Sequence, residues 1–358
     1  MQLRFKHRQQ GIALVIVMIV ITFLSILVAG FSYSMKVETK LARNAIYDPE
    51  MEWLGRSGIE LAKYVLGQQR NIAGENNYDS LNQKWAGGPG NSNSVIADVQ
   101  MDNVPLGRGS FSVKITDCER KFNVNVADEM ILQQALLIMG ADPSEFTTVV
   151  NSILDWIDPD DTPRTGGTES DYYEGLNPPY SAKNGPVDDM NELLLVRGVT
   201  PEMFWGPRYS GPPSVNMFSR SRHGLRERER PAYTTGLVDL FTPFGSRGIN
   251  LNTASATALQ VIPEIDENTA AEIIKRRAGP DGADGTLDDM PYRSPGELAS
   301  VPGISPALVG QISRFFVVQS TTFEVEVTVS LDGRTRKFFA ILRRLDTKNV
   351  QVLTMYWK

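Results

Sequence analysis

Met1–Phe31 reads MQLRFKHRQQGIALVIVMIVITFLSILVAGF, a basic stretch running straight into an apolar one. Arg4, Lys6 and Arg8 lie in the first eleven residues, and Ile12–Phe31 is 20 residues without a charge. At ~1.5 Å per helical residue this apolar run spans roughly 30 Å, one bilayer core. The positive flank favours a cytoplasmic start, which puts the rest of the chain on the far side of the membrane. A cleaved secretory signal would carry an apolar core of only about 7–15 residues with a small-residue site behind it. A plain, uncleaved membrane anchor is a second reading.

Outward from Phe31 the helix pattern continues. Leu54, Ile59, Leu61, Ala62, Val65 and Leu66 alternate with Glu52, Arg56, Glu60 and Lys63, an amphipathic face that runs to about Gly67. The spacing predicts one long helix over 12–67, or two helices broken at Asp48-Pro49, where proline disfavours the helix. Residues 68–108 are rich in Asn, Gly and Ser and read as a loop. Gly109–Thr116 and Thr321–Ser330 alternate like strands. Asp332-Gly333 marks a hairpin turn, with further strands at Arg334–Arg343 and Val350–Trp357. These β segments flank a helical and loop-rich middle, so 68–120 and 317–358 form one discontinuous unit around an insert at 121–316.

The insert repeats itself. Phe122–Asp128 (FNVNVAD) matches Ile249–Ser255 (INLNTAS), and Glu192–Pro201 (ELLLVRGVTP) matches Glu297–Pro306 (ELASVPGISP). Thr200 and Ser305 suit helix N-caps, Pro201 and Pro306 the first helical turn, and Gly198 and Gly303 the tight turn between arms. Two hairpin modules, 121–204 and 248–316, follow. The second resembles helix-hairpin-helix modules, including those of DNA-uptake proteins, in which hairpin N–H groups and nearby cations hold a phosphate. A DNA-binding component of a competence-type pilus is therefore the alternative function. Against it, residues 250–316 hold five Lys/Arg and nine Asp/Glu, and the turn is Gly303-Ile304-Ser305 rather than Gly-x-Gly. The whole chain of 358 residues has a formal charge of −6, a poor match to phosphate-driven binding; protein contact is expected, and no nucleic acid.

Gly11 sits where the basic and apolar stretches meet. This resembles the type IV prepilin leader, 1–11 here, which is cut before a hydrophobic helix that stays attached. The resemblance places the cut between Gly11 and Ile12, with Ile12 N-methylated. Most pilins and pseudopilins carry Glu at the fifth position after the cut; here it is Ile16. A carboxylate in a bilayer is costly unless paired with a charge such as a neighbour's N-terminal amine. Its absence is typical of the K-type minor pseudopilin of type II secretion. Asp155-Trp156-Ile157-Asp158, Asp160-Asp161-Thr162-Pro163-Arg164, Gly167–Tyr173 and Asn250–Ala254 extend that resemblance across nearly the whole chain. It implies an α+β fold: a pilin-like long N-terminal helix packed on a small antiparallel sheet, with a large helical domain inserted into the sheet region. It further implies a single-pass inner-membrane protein with a periplasmic head. The expected place is the tip of the pseudopilus, with the I and J minor pseudopilins, the pseudopilus shaft, the prepilin peptidase and the inner-membrane secretion platform as partners.

Two loops concentrate carboxylates: Asp155–Glu174 and Asp281–Asp289. Calcium takes about six to eight oxygens, and glycine permits the turns that gather them. Glu169 and Asp171, beside Gly166-Gly167, are the candidate ligands in the first loop. Asp281, Asp284, Asp288 and Asp289, around Gly282 and Gly285, are those in the second. The K-type resemblance implies calcium in this domain; solvated acidic turns, or pairing with Arg164, are the other readings. EF-hand spacing is absent. Cys118 is the sole cysteine and the histidines are His7 and His223, which disfavours a zinc centre; His223 reads as a surface loop residue. No nucleophile elbow, P-loop or H-E-x-x-H sequence occurs. The expectation is a structural subunit and not an enzyme.

Overall fold

The computed structural model describes residues 10–211 and 233–357. Arg4, Lys6, His7 and Arg8 of the leader, and His223 of the 206–247 segment, lie outside the described residues.

Helix α1 (Gln10–Gln69) is one element of 60 residues, about 90 Å long at ~1.5 Å per residue. It runs through Pro49 without a break. Proline removes a helical donor and crowds the carbonyl four residues back. Pro49 and Ala45 are both exposed, so water can take the carbonyl that loses its partner. Every residue from Ile12 to Ala42 is exposed, and α1 is the one helix among the described residues long and apolar enough to cross a membrane. From Met51 the surface changes character. Met51, Leu54, Ile59, Ala62, Val65 and Leu66 recur at helical spacing and are buried.

In chain order the strands are β1 (Val104–Leu106), β2 (Gly109–Asp117), β3 (Phe122–Asn123), β4 (Phe241–Thr242), β5 (Ile249–Asn250), β6 (Phe316–Val317), β7 (Thr322–Leu331), β8 (Arg334–Arg344) and β9 (Val350–Trp357). The main sheet is antiparallel throughout, in the order β1-β2-β7-β8-β9. Alternate residues of its central strands (Phe111, Val113, Ile115; Val325, Val327, Val329; Phe338, Ala340, Leu342) face α1 and are buried with it. Gly55 and Gly58 let the helix approach: a Cβ at Gly55 would lie 2.6 Å from the Phe338 ring, and one at Gly58 would strike Val327. The β7–β8 turn closes Leu331 onto Arg334 through Asp332 and Gly333, both at positive φ, the two-residue hairpin geometry. The polar 68–108 segment still contributes to this core. Trp85 and Ile96 are buried in it, and Trp85 meets Phe323 edge-to-face at 5.2 Å.

The chain leaves the sheet at the end of β2 and returns at the start of β7, neighbouring strands that pair Asp117 with Phe323. Between them lie α2 (Glu129–Met139), α3 (Pro143–Ile157), α4 (Ser170–Glu174), α5 (Pro201–Trp205), α6 (Leu237–Leu240), α7 (Ala256–Leu259), α8 (Glu267–Arg277) and α9 (Pro306–Ile312). They enclose a second hydrophobic core, separate from that of the sheet. The internal repeat is geometric as well as sequential. Asn125 donates to the Val187 carbonyl at 3.0 Å and accepts from its N–H at 2.6 Å; Asn252 grips Tyr292 in the same way at 2.9 and 2.7 Å. In each hairpin the first arm is a 3-10 helix, Met190–Leu195 or Pro295–Ser300. Gly198 and Gly303 turn at φ 87° and 88°, and Thr200 and Ser305 cap α5 and α9 through their side chains.

A buried polar junction fastens insert to sheet. Arg344, at the end of β8, pairs with Asp79 and donates to the Ser320 carbonyl at 2.8 Å. Asp79 accepts from the Ser320 N–H at 2.8 Å. Asp117 receives Ser320 Oγ at 2.6 Å, Thr253 Oγ1 at 2.6 Å and Asn250 Nδ2 at 3.0 Å. Arg344 and Asp79 are each 1% exposed. Arg344→Met is expected to destabilise the chain by about 3–5 kcal/mol, because it strands the Asp79 charge in the interior. Chemical denaturation of the purified chain checks this, and the double variant Asp79→Leu/Arg344→Met should recover part of the loss.

Candidate metal centre

The first acidic loop is built on α3. Asp142 caps the helix, Pro143 opens it, and Val149, Val150, Ile153 and Trp156 bury its inner face. Asp158 is extended and precedes Pro159, which stops the helix there. The loop then doubles back. The Arg164 N–H reaches the Asp155 carboxylate at 3.2 Å; its guanidinium meets Asp155 at 3.0 Å and also pairs with Asp158. The Asp155 side chain is wholly buried. Asn151 holds the Thr165 carbonyl at 2.8 Å. At Gly167 any Cβ would collide with Asp155 Oδ2, so only glycine lets the chain pass.

That passage delivers Glu169 to the end of α3. Oxygens of Asp158, Asp160 and Glu169 lie within 4.8 Å of one another. Glu169 is 5% exposed, and neither of its carboxylate oxygens has a hydrogen-bond partner, nor does Asp158 Oδ1. Burial, with the negative field of Asp155, Asp158, Asp161 and Asp160 behind it, pushes the Glu169 carboxyl up to about 7. An unpartnered buried carboxyl among like charges is an expensive arrangement unless a cation joins it. The donors are all hard oxygens, the set that calcium or magnesium prefers. A cleft of about 480 Å³ opens beside them, lined by Asp161, Gly167, Glu169, Asp171, Tyr172 and Glu174. Beneath the loop, Trp156, Tyr173 and Tyr180 stack edge and face at 5.2–6.4 Å.

Of the residues singled out from sequence, Glu169 stands in the convergent trio and Asp171 lines the cleft next to it. Asp158 and Asp160, legible only as part of an acidic run, complete the trio. The carboxylates of the second loop are engaged differently. Asp284 takes a two-bond ion pair from Arg277 at 2.9 and 2.7 Å. Asp288 accepts from the Asp281 N–H and from Thr286, Asp289 from the Gly285 and Thr286 N–H groups, and Asp281 from the Ala283 N–H. These bonds fold the loop on itself.

A long helix with an exposed apolar half, its other half laid on an antiparallel sheet, is a pilin-like fold, here with an acidic helical domain set into the sheet. A chain of the crystal structure of the GspK-GspI-GspJ complex from the enterotoxigenic Escherichia coli type 2 secretion system has this fold, with a TM-score of 0.63 at 17% identity, over 88% of this chain and 99% of that one. The family model for protein K of the type II secretion system matches residues 114–205, and a helix-hairpin-helix model matches 245–317. The chain is therefore similar to protein K of the type II secretion system, by family model over residues 114–205 and by sequence over most of its length. Protein K of Klebsiella pneumoniae is 23% identical over 56% of this chain and 61% of its own length, so the match spans about three fifths of that relative. The protein from Aeromonas hydrophila is 26% identical over 55% of this chain and likewise 61% of its own. Protein K of Pseudomonas aeruginosa is 24% identical over 97% of this chain and 92% of its own.

The raised Glu169 pKa carries a pH signature. The folded value, about 7, lies above the ordinary 4.5. Its contribution is therefore fully present below about 4.5 and is lost as pH rises through 7. In the presence of a chelator, stability should fall by on the order of 1–3 kcal/mol between about pH 5 and 8. Glu169→Gln should flatten that slope. Thermal melts followed by circular dichroism at both pH values test it, and an unchanged slope in the variant refutes the assignment.

Proposed function

We propose that this chain is a structural, non-enzymatic minor pseudopilin that sits at the tip of a short periplasmic filament of the type II secretion system. The observation that carries this reading is the placement of the insert. It hangs from the adjacent ends of β2 and β7, at the side of a 60-residue helix whose first half is apolar and exposed. Helices of that kind pack side by side, and a domain of this bulk leaves no room for a subunit stacked above it. Ile16 points the same way: it offers no carboxylate to the amine of an adjacent subunit, a contact the first subunit of a filament does not need. The I- and J-type minor pseudopilins are the proposed partners, in line with the three-protein complex that contains the structural relative. Export of folded proteins across the outer membrane is the process it serves.

Processing between Gly11 and Ile12 would leave α1 as the single inner-membrane span with the head in the periplasm. Mass spectrometry of the mature chain should read a methylated Ile12 as the first residue; a chain beginning at Met1, or beyond Phe31, contradicts the reading. Co-expression with I- and J-type pseudopilins should yield a three-chain complex by size-exclusion chromatography.

Calcium is the proposed ion for Asp158, Asp160 and Glu169, where it would cross-link the end of α3 to the start of α4 and hold the loop in place. Calorimetric titration of chelator-treated protein should show one calcium bound in this loop. Asp160→Asn/Glu169→Gln should weaken that binding at least about tenfold, since two of the three charges are gone.

A further inference from the structure

We infer that Arg164 is a tethered counter-cation that sets how tightly the first acidic loop holds its ion; this rests on the calcium reading above. The guanidinium stands against the carboxylates of Asp155 and Asp158, bonded through one nitrogen to both. It therefore divides Asp158. Oδ2 is taken by Arg164, while Oδ1 is buried with no partner and faces the same problem as the two free oxygens of Glu169. Asp160 is split in a similar way, with Oδ1 accepting the Thr162 N–H at 2.9 Å. The site thus keeps part of each carboxylate for an incoming cation and gives part to a cation it already owns.

The internal repeat supplies the contrast. In both modules the acidic loop lies between the end of a helix, α3 or α8, and the residue gripped by an asparagine, Val187 or Tyr292. In the second module Arg277, 4% exposed, takes both oxygens of Asp284 and also donates to the Leu251 carbonyl at 2.7 Å. Among the described residues, no trio of carboxylate oxygens converges in that loop. An arginine that claims a whole carboxylate closes its loop without an ion; one that claims half of two carboxylates leaves the loop dependent on another cation. The Arg164 side chain is 42% exposed, so its charge can be removed without opening a hole in the core.

A unit positive charge beside the site repels a bound cation in proportion to that cation's charge. Removing it should tighten a trivalent ion more than a divalent one, whereas a residue that only shapes the loop would weaken both alike. The test titrates the full-length protein in detergent with calcium by calorimetry and with terbium by luminescence sensitised through Trp156. Arg164→Gln should bind calcium about tenfold more tightly and terbium about thirtyfold more tightly, raising the terbium-to-calcium preference by about threefold. Arg164→Lys keeps the charge but loses the planar fork, and should match the wild-type preference within about twofold; it also keeps the test valid if Arg164→Gln does not fold. Calcium binding that is unchanged or weaker in Arg164→Gln, or an altered ion preference in Arg164→Lys, overturns the inference while leaving the calcium site in place. Absence of binding by wild type and variants alike overturns the calcium reading and this inference with it.

Discussion

The buried polar cluster around the Arg344–Asp79 ion pair joins the two halves of this molecule, through the bonds of Asn250 and Thr253 to Asp79, Asp117 and Ser320. It is buried on every side, and its hydrogen bonds extend to Ser320 at the mouth of β7, and through Ser320 to Asp117 at the exit of β2 and Asn250 in the second helical module. Five stretches far apart in sequence meet there: the loop after α1, the two chain crossings, the insert itself and the end of β8. Taking a charged pair out of water is costly unless hydrogen bonds accompany it; here Arg344 and Asp79 share bonds with Ser320, while Asp79 Oδ1 and Arg344 Nε are left without a partner. The junction therefore has few alternative arrangements, and it fixes where the inserted domain stands relative to the sheet. A hydrophobic contact of similar area would bind the parts without dictating their orientation.

On either side of that junction the cores are separate. One is made by α1 against the sheet, the other by the helices of the insert. Each module of the insert is small, and the asparagine clamps on Val187 and Tyr292 tie the hairpin of each module back to its opening segment. The acidic loops lie on the outer ends of these modules. In one, Arg277 pairs with both oxygens of Asp284; in the other, Arg164 pairs with Asp155 and Asp158, and Asp158, Asp160 and Glu169 converge. The two arginines stand at different places in the duplicated plan, Arg277 in the last turn of α8 and Arg164 in the loop beyond α3.

Much of this was legible in the residues. Period-two alternation marked β2 and β7 within a residue or so, because each has one face against α1; β8 and β9 were read as the strands that follow the Asp332-Gly333 turn. The unbroken apolar run and the 3.6-residue stripe after it marked α1, though only the structure shows that solvent exposure at Pro49 and Ala45 lets the helix pass. The hairpin turns were readable because Gly and Pro stand at fixed offsets from capping Thr and Ser. What escaped was whatever depends on chain return. Trp85 and Ile96 sit in a stretch of Asn, Gly and Ser whose composition says loop, and nothing local announces that they fill the sheet's core. Asp79 looks like any loop acid until Arg344 arrives from the far end of the chain. Glu169 was recognisable beside its glycines, but its companions Asp158 and Asp160 come together with it only because Arg164 folds the loop back and Gly167 clears Asp155.

The attachment of the insert has a geometric corollary. Its two tethers are the neighbouring ends of an antiparallel strand pair, side by side and facing the same way. The insert is thus joined at one end of this strand pair, by the two chain crossings and by the bonds of Asn250 and Thr253. Such a domain can present a surface to the outside while its own core stays separate from that of the sheet.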